Sequence, residues 1–304
     1  MANPNLKQNK LIRAFLVPFR GLVKKVAPVS YVKFQYRYIT HHRLDLHNPI
    51  RYTAKLQYLR LFVYPQDLQV IACAGRATVR EYITELGLGS YLIPIAGIYP
   101  NFDAIDFSVL PERFVMKATH ACAFNYICLD KKKIDMPTLK KRFDRYLKAD
   151  YGMKFYEPHY SKIKPEIIIE HYIGEDEFLP VEYKIHVFNG KAKYLYVVTG
   201  RGRDIRYNNY YIDWTPFDGA QFNRWKKTDT PMKRPENFDE MIKLAEKLAQ
   251  PFPFVRVDLY DVNGKIYFGE MTFTPAKGTL IFDDDQADFE IGSWLDISHF
   301  LKKK

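Results

Sequence analysis

Apolar positions along the chain recur with two periods. In residues 76–87, Val79, Tyr82, Ile83 and Leu86 are spaced three, one and three, which predicts a helix stopped by Gly87. Leu139, Phe143, Tyr146 and Leu147 repeat similarly behind Pro137, a residue suited to a first helical turn, and Gly152 is expected to end that helix. Phe238, Met241, Ile242, Ala245 and Leu248 line a third helix, with Asn237 and Glu240 at capping-box spacing. Shorter apolar runs predict strands at 112–117, 124–129, 166–173, 254–260 and 265–273. The runs 181–188 and 191–198 flank Asn189-Gly190, a strong hairpin signal. Residues 94–111 read as a loop-rich connector. Residues 199–236, rich in Arg, Tyr, Trp, Asp and Pro, read as a long loop without a period, and a loop of that length is usually functional. Residues 1–60 are basic and read as helical or irregular. Strands mixed with helices predict an α+β or α/β protein.

Composition narrows the possibilities. The 304 residues suit about two domains, or one domain with lobes, and 47% hydrophobic with 27% charged residues excludes a disordered chain. Lys and Arg number 46 against 35 Asp and Glu, and a net charge of +11 favours an anionic partner. Cys73, Cys122 and Cys128 show no metal spacing; a sparse, odd set fits a reducing, cytoplasmic compartment. The stretch from Leu11 to Pro28 is interrupted by Arg13, Pro18, Arg20, Lys24 and Lys25, so it does not read as a membrane span or a signal peptide. A basic amphipathic stretch of this kind can lie on the inner face of a membrane, or it can be a solvated helix covering the core.

The chemistry concentrates near the C-terminus, in Arg256-Val257-Asp258-Leu259-Tyr260 and Tyr267-Phe268-Gly269-Glu270-Met271-Thr272-Phe273-Thr274-Pro275. Alternation puts Arg256, Asp258 and Tyr260 on one strand face. An acid within an apolar strand needs a partner. A two-residue Asn263-Gly264 turn would pair Val257 with Glu270 and turn Asp258 away from it. A three-residue turn with a left-handed glycine would pair Arg256 with Glu270 and gather Arg256, Asp258, Glu270 and Thr272 on one face. Two carboxylates beside a hydroxyl suit Mg²⁺; the same residues equally suit an Arg256–Glu270 ion pair with Asp258 solvated.

These residues resemble the metal-binding hairpin of ATP-grasp enzymes, and the chain as a whole resembles the TupA-like ATP-grasp family of cell-surface polysaccharide loci. The matching pieces, in order, are VREYI at 79–83, LPERFVMKATH at 110–120, IIIEHYI at 167–173, EYKIHVFNGK at 182–191 and VRVDLY…YFGEMTFTP at 255–275. The resemblance implies an α+β ATP-grasp fold: two α+β lobes with a nucleotide cleft between them, preceded by a mostly helical N-terminal region. The implied layout is a basic segment at 1–55, a helical region at 56–110, a small lobe at 111–172 and a large lobe at 173–304. It implies ATP and Mg²⁺ as cofactors, with Asp258, Glu270 and Thr272 as metal ligands. Arg256 and Lys184 would be catalytic. Lys117, His120, Glu170, His171, Tyr172, Ile173, Glu182 and Arg76 would bind the nucleotide, and Arg201 and Arg203 an acidic substrate.

The activity implied is an ATP-dependent carboxylate–amine ligase working through an acyl phosphate, acting on an acidic sugar or glycan and an amine or amino acid. Two departures stand out. His120-Ala121-Cys122-Ala123 lacks the glycines usual after the Lys117 strand, and Gly75-Arg76 replaces a usual Asp-Lys pair. The first admits a degenerate, non-catalytic module as an alternative. Asp283-Asp284-Asp285 admits a glycosyltransferase, although an acidic triplet is more often a solvated turn. No Walker loop, Rossmann fingerprint, nucleophile elbow, zinc spacing or nucleic-acid module is present, so no nucleic-acid partner is expected.

Overall fold

A computed structural model describes residues 21–174, 179–201, 204–220, 226–228 and 230–301. The chain forms two units, residues 1–45 and 46–304. In the first, helix α1 (Pro28–Thr40) starts on a proline and ends at His41 in the left-handed conformation, whose N–H donates to the Arg37 carbonyl. It buries Tyr31, Val32, Tyr36 and Thr40 and exposes Phe34 and Tyr38.

The second unit opens with α2 (Tyr52–Tyr58), which continues into a π-helical turn at Leu59–Val63, then α3 (Leu68–Ala74) and α4 (Val79–Glu85). The Asp67 side chain caps α3, accepting from the N–H groups of Gln69 and Val70. Gly87, at φ 73°, follows α4 as its spacing predicts. Arg60 is fully buried at the π turn. Its guanidinium donates to the carbonyls of Tyr156, Phe155 and Lys277 and to Gln57 Oε1, which ties remote segments to one side chain.

A four-stranded antiparallel sheet comprises β1 (Ile95–Tyr99), β2 (Phe114–Ala118), β3 (Asn125–Cys128) and β4 (Ile167–His171), in the order β1-β4-β2-β3. Phe114, Met116, Ile167 and Ile169 pack with Leu139 and Phe143 of α5 (Met136–Leu147) and with Phe102, Ile105 and Leu110. The connector expected at 94–111 thus holds a strand and three core residues. It shows no obvious period because a bulge beside Gly97 interrupts its pairing with β4. Gly152 does not end α5, which stops at Leu147. It lies inside the short α6 (Tyr151–Phe155), where a Cβ would collide with Ser161 Oγ and lie 2.8 Å from the Glu157 carbonyl.

A six-stranded sheet follows the order β10-β9-β5-β6-β7-β8. Its strands are β5 (Glu182–Phe188), β6 (Lys191–Thr199), β7 (Arg206–Tyr211), β8 (Lys226–Lys227), β9 (Phe254–Val262) and β10 (Lys265–Thr272). β7 and β8 come from the stretch expected to be one long loop: Tyr207 and Tyr210 are buried, so polar Tyr-rich strands hide behind composition alone. Helix α7 (Phe238–Ala249) buries Phe238, Met241, Leu244, Ala245 and Leu248 as its period predicts. The capping box does not form: Asn237 Nδ2 donates to the Gly264 carbonyl at 3.2 Å and Glu240 accepts from the Tyr91 hydroxyl at 2.7 Å. Helix α8 (Asp285–Ser293) completes the unit.

Candidate functional site

The hairpin β9–β10 joins through Asn263 and Gly264, both at positive φ (53° and 80°), a two-residue turn of the type that matches strand twist. That turn alone would set Glu270 opposite Val257. It does not, because Gly269 is an extra residue that bulges out of β10. The register shifts by one, so Glu270 faces Asp258 and Thr272 faces Arg256. The shared face expected from a three-residue turn is therefore reached by a different device. Gly269 is suited to it: a Cβ there would lie 2.9 Å from the Tyr260 ring and 3.0 Å from the Asp258 carbonyl.

β5 extends the same face. Lys184 lies opposite Asp258, His186 opposite Arg256 and Glu182 opposite Tyr260. Glu270, Asp258, Lys184 and, on β6, Tyr196 form one row across four strands. Arg256 grips Asp258 through Nε to Oδ1 at 2.6 Å and Nη2 to Oδ2 at 2.7 Å. Its Nη2 also reaches Thr272 Oγ1 at 2.9 Å and Glu270 Oε1 at 3.2 Å, and its Nη1 reaches the Tyr196 hydroxyl at 2.9 Å. Lys184 Nζ contacts Asp258 Oδ2 and pairs with Glu182 Oε1 at 2.7 Å. Arg201 Nη2 pairs with Glu182 Oε2 at 2.5 Å.

The small sheet supplies the opposing side. Arg76 donates to the carbonyls of Ala118 and Ala121, and its Nη2 lies 3.7 Å from Glu270 Oε2. One guanidinium thus spans both sheets. Lys117 of β2 pairs with Glu170 of β4 at 2.5 Å. Arg76, Lys117, Lys184, Arg201 and Arg256 together outnumber the carboxylates Glu170, Glu182, Asp258 and Glu270 by one. This set carries net positive charge before any ligand arrives.

These charges tune one another. Burial raises the Glu270 carboxyl, but Arg76, Lys184, Arg256 and Lys117 outweigh it and bring it down to about 2. Burial likewise opposes the ionised form of Glu182, and Lys184 and Arg201 overcome it. Asp258 is the most deeply buried acid of the group, and burial pushes its carboxyl up against the pull of Arg256 and Lys184.

Among the described residues no group of three or more His, Cys, Asp or Glu is arranged around one point for a metal. Mg²⁺ asks for less, since one or two carboxylates with substrate phosphates suffice. Glu270 fits that demand, being ionised, with its side chain 31% exposed and the Thr272 hydroxyl 3.2 Å away. Asp258 is fully buried with both oxygens held by cations, so in this arrangement it is the ion-pair partner of Arg256 and Lys184.

Other expected residues sit further out. His120 is buried, its Nε2 3.1 Å from the Ala149 carbonyl, on the α5 side of its loop. Burial holds its imidazole below the usual range. His171 is exposed at the end of β4, and its N–H donates to the Pro94 carbonyl, with Tyr172 and Ile173 half-buried after it. Arg203 lies outside the described residues. In the glycine-poor loop, Ala123 adopts φ 60°, a conformation that favours glycine. Cys122 lies beside it against the Tyr160 hydroxyl at 3.2 Å, and burial pushes its thiol up to about 11. Tyr196, His186 and Gly269 are site residues that sequence reasoning missed. Gly269 carried a signal, a lone glycine within a strand pattern. Tyr196 carried none, because its place in the row depends on how β5 and β6 pair, with a second bulge between His186 and Val187.

The sequence matches the TupA-like ATPgrasp family over residues 54–296. The chain belongs to that family. Its fold is accordingly the α+β ATP-grasp fold, with two sheets and a helical N-terminal region. No curated protein matches this family member. Among solved structures, it is similar to the D-alanine–D-alanine ligase of Bacillus anthracis complexed with ATP. The TM-score is 0.40 at 14% identity, covering 68% of this chain and 55% of that one. It is also similar to the Helicobacter pylori D-alanine–D-alanine ligase (TM-score 0.43, 15% identity, 81% and 67% covered). A third is N5-carboxyaminoimidazole ribonucleotide synthetase from Thermus thermophilus (TM-score 0.40, 13% identity, 73% and 51% covered). The chain spans little more than half the length of the Bacillus anthracis ligase.

Proposed function

We propose that this TupA-like ATP-grasp protein is an ATP-dependent carboxylate–amine ligase of cell-surface polysaccharide biosynthesis. The observation that carries the reading is the bulge-set register that brings Arg256, Asp258, Glu270 and Thr272 to one face, with Lys117 of the other sheet and Arg76 of the turn between α3 and α4 opposite. Lys117, Arg76 and Lys184 would hold the nucleotide phosphates. Glu170, Glu182, His120 and the segment His171-Tyr172-Ile173 would position the rest of the nucleotide, in a cleft between a small lobe at 111–172 and a large lobe at 173–304. Glu270, with Thr272 and with Asp258 where Lys184 or Arg256 yields an oxygen, would hold Mg²⁺. Such an ion neutralises phosphate charge during transfer.

In the reaction, a carboxylate oxygen takes the terminal phosphoryl group of ATP and ADP leaves. An amine then attacks the acyl carbon and phosphate departs, leaving an amide. Arg256, held in plane by Asp258 and Tyr196, would face the charge that develops on the transferred group. The excess of cations suits an acidic sugar or glycan as the carboxylate and an amino acid as the amine, with Arg201 and Arg203 at the acceptor. The basic N-terminal segment would bring the enzyme to a membrane face from the cytoplasm.

Glu270→Gln tests the reading. ATP turnover, measured as phosphate release with candidate uronates and amino acids, should fall about a hundredfold or more in a sample that circular dichroism shows to be folded. Unchanged turnover would refute it. The strained Ala123 favours one second reading, a folded module that no longer turns ATP over. Calorimetry that finds no Mg-ATP binding in a folded sample would select it. Nothing favours a glycosyltransferase at the acidic triplet: Asp284 caps α8 through the Gln286 N–H, and Asp285 pairs bidentately with Arg51 at 2.5 and 2.7 Å.

A further inference from the structure

Charge is distributed very unevenly along this chain. Residues 1–44 hold nine Lys and Arg and no Asp or Glu, while the rest holds 37 Lys and Arg against 35 acids. The N-terminal unit, with Asp45 its one acid, therefore carries +8 of the net +11, and the unit with the site described above the remaining +3. Within that N-terminal unit the exposed residues combine two chemistries. Leu22, Val26, Phe34 and Tyr38 are 57%, 70%, 72% and 66% exposed, far more than large apolar side chains need be. Phe34 and Tyr38, one helical turn apart on α1, stack at 6.3 Å between ring centroids and 16° between planes. Lys33 and Arg37 precede each of them by one residue and are exposed as well, as is Lys25. Val32 and Tyr36, on the opposite face of α1, are buried.

We propose that the exposed face of α1 docks on a bilayer surface containing anionic lipid. Phe34 and Tyr38 enter the headgroup boundary, with Lys33 and Arg37 against lipid phosphates. Aromatic side chains with an apolar body favour that boundary, and basic residues close to an anionic leaflet are drawn to it. Among the described residues no helix is long and apolar enough to cross a membrane, so the helix would lie along the surface. A nucleic acid would be served by the charge but gives no role to four exposed apolar side chains. A second copy of the chain would bring like charges together. An anionic bilayer uses both features. This proposal stands apart from the ligase reading and narrows membrane contact to one helix face.

The test is sedimentation of the full chain with vesicles of phosphatidylcholine alone or with about one third phosphatidylglycerol. Binding is expected to the anionic vesicles only, weakening as salt rises. Phe34→Ser with Tyr38→Ser, and separately Lys33→Glu with Arg37→Glu, should each lower partitioning about tenfold or more, with circular dichroism unchanged. The proposal is overturned if the full chain ignores anionic vesicles or if both double variants partition like the parent. It is equally overturned if the parent forms a lipid-free dimer that Phe34→Ser dissociates, or if it binds single-stranded RNA but not vesicles.

Discussion

Asp258 and Glu270 face each other across one strand pair, yet they are different acids. Asp258 is sealed between Arg256 and Lys184, while Glu270 stands at the rim with its carboxyl near 2. Removing the charge of Asp258 leaves two buried cations short of a partner, which costs about 3–5 kcal/mol, whereas Glu270→Gln, at a carboxyl held near 2 by its cations, should cost about 2–3 kcal/mol. Asp258→Asn and Glu270→Gln should therefore both lower turnover and the urea midpoint, Asp258→Asn lowering the midpoint more. A larger loss of stability in Glu270→Gln than in Asp258→Asn would contradict this division. His159 is a second residue with a readable consequence. It is fully buried among Tyr64, Tyr160 and Phe273, neither ring nitrogen has a hydrogen-bond partner among the described residues, and burial, aided by Arg60, holds it at about 3. The unfolded chain takes up this proton near pH 6.5 and the folded chain does not. Stability is thus lost as pH falls from about 6.5 towards 3, at about 1.4 kcal/mol per pH unit from this group. Urea unfolding of His159→Phe at pH 7 and pH 5 should show a smaller acid penalty than the parent.

At the scale of elements, most helices and strands were legible because burial leaves a period. Val79 and Ile83 in α4, Leu139 and Phe143 in α5, and Met241, Ala245 and Leu248 in α7 all point inward. β1, β7 and β8 were missed because a short or edge strand rich in Gly, Asn and Tyr carries little alternation. Register was the harder matter. A turn reports its own pairing, and a bulge several residues away rewrites it. Gly269 is where that happens, so Gly269→Val is predicted to be severe. The branched side chain meets Tyr260 and the Asp258 backbone, and relieving the clash by undoing the bulge would turn Glu270 to the opposite face. The expected outcome is a loss of about 1–3 kcal/mol in stability together with loss of ATP turnover. Normal turnover in this variant would show that the shared face is not required.

At the scale of the whole unit, Arg76 links the two sheets, donating to Ala118 and Ala121 on one side and facing Glu270 on the other. Both carbonyls take Nη1 and Glu270 faces Nη2, so lysine, with one nitrogen, keeps only one side of the bridge. Arg76→Lys is expected to raise the calorimetric Kd for Mg-ATP about tenfold and to lower the thermal midpoint by a few degrees. Equal Kd values would argue that the bridge is unconnected with nucleotide binding. The amino-acid sequence alone determined a chain of mixed strands and helices, the ordered family segments and the identity of the acids and cations, because those follow from side-chain type and local period. Tertiary structure alone decided that Asp258 and Glu270 share a face, that Arg76 reaches Glu270 from the turn between α3 and α4, and that His120 turns towards α5. Each of these depends on backbone register and on contacts between residues far apart in the chain, which no local pattern encodes.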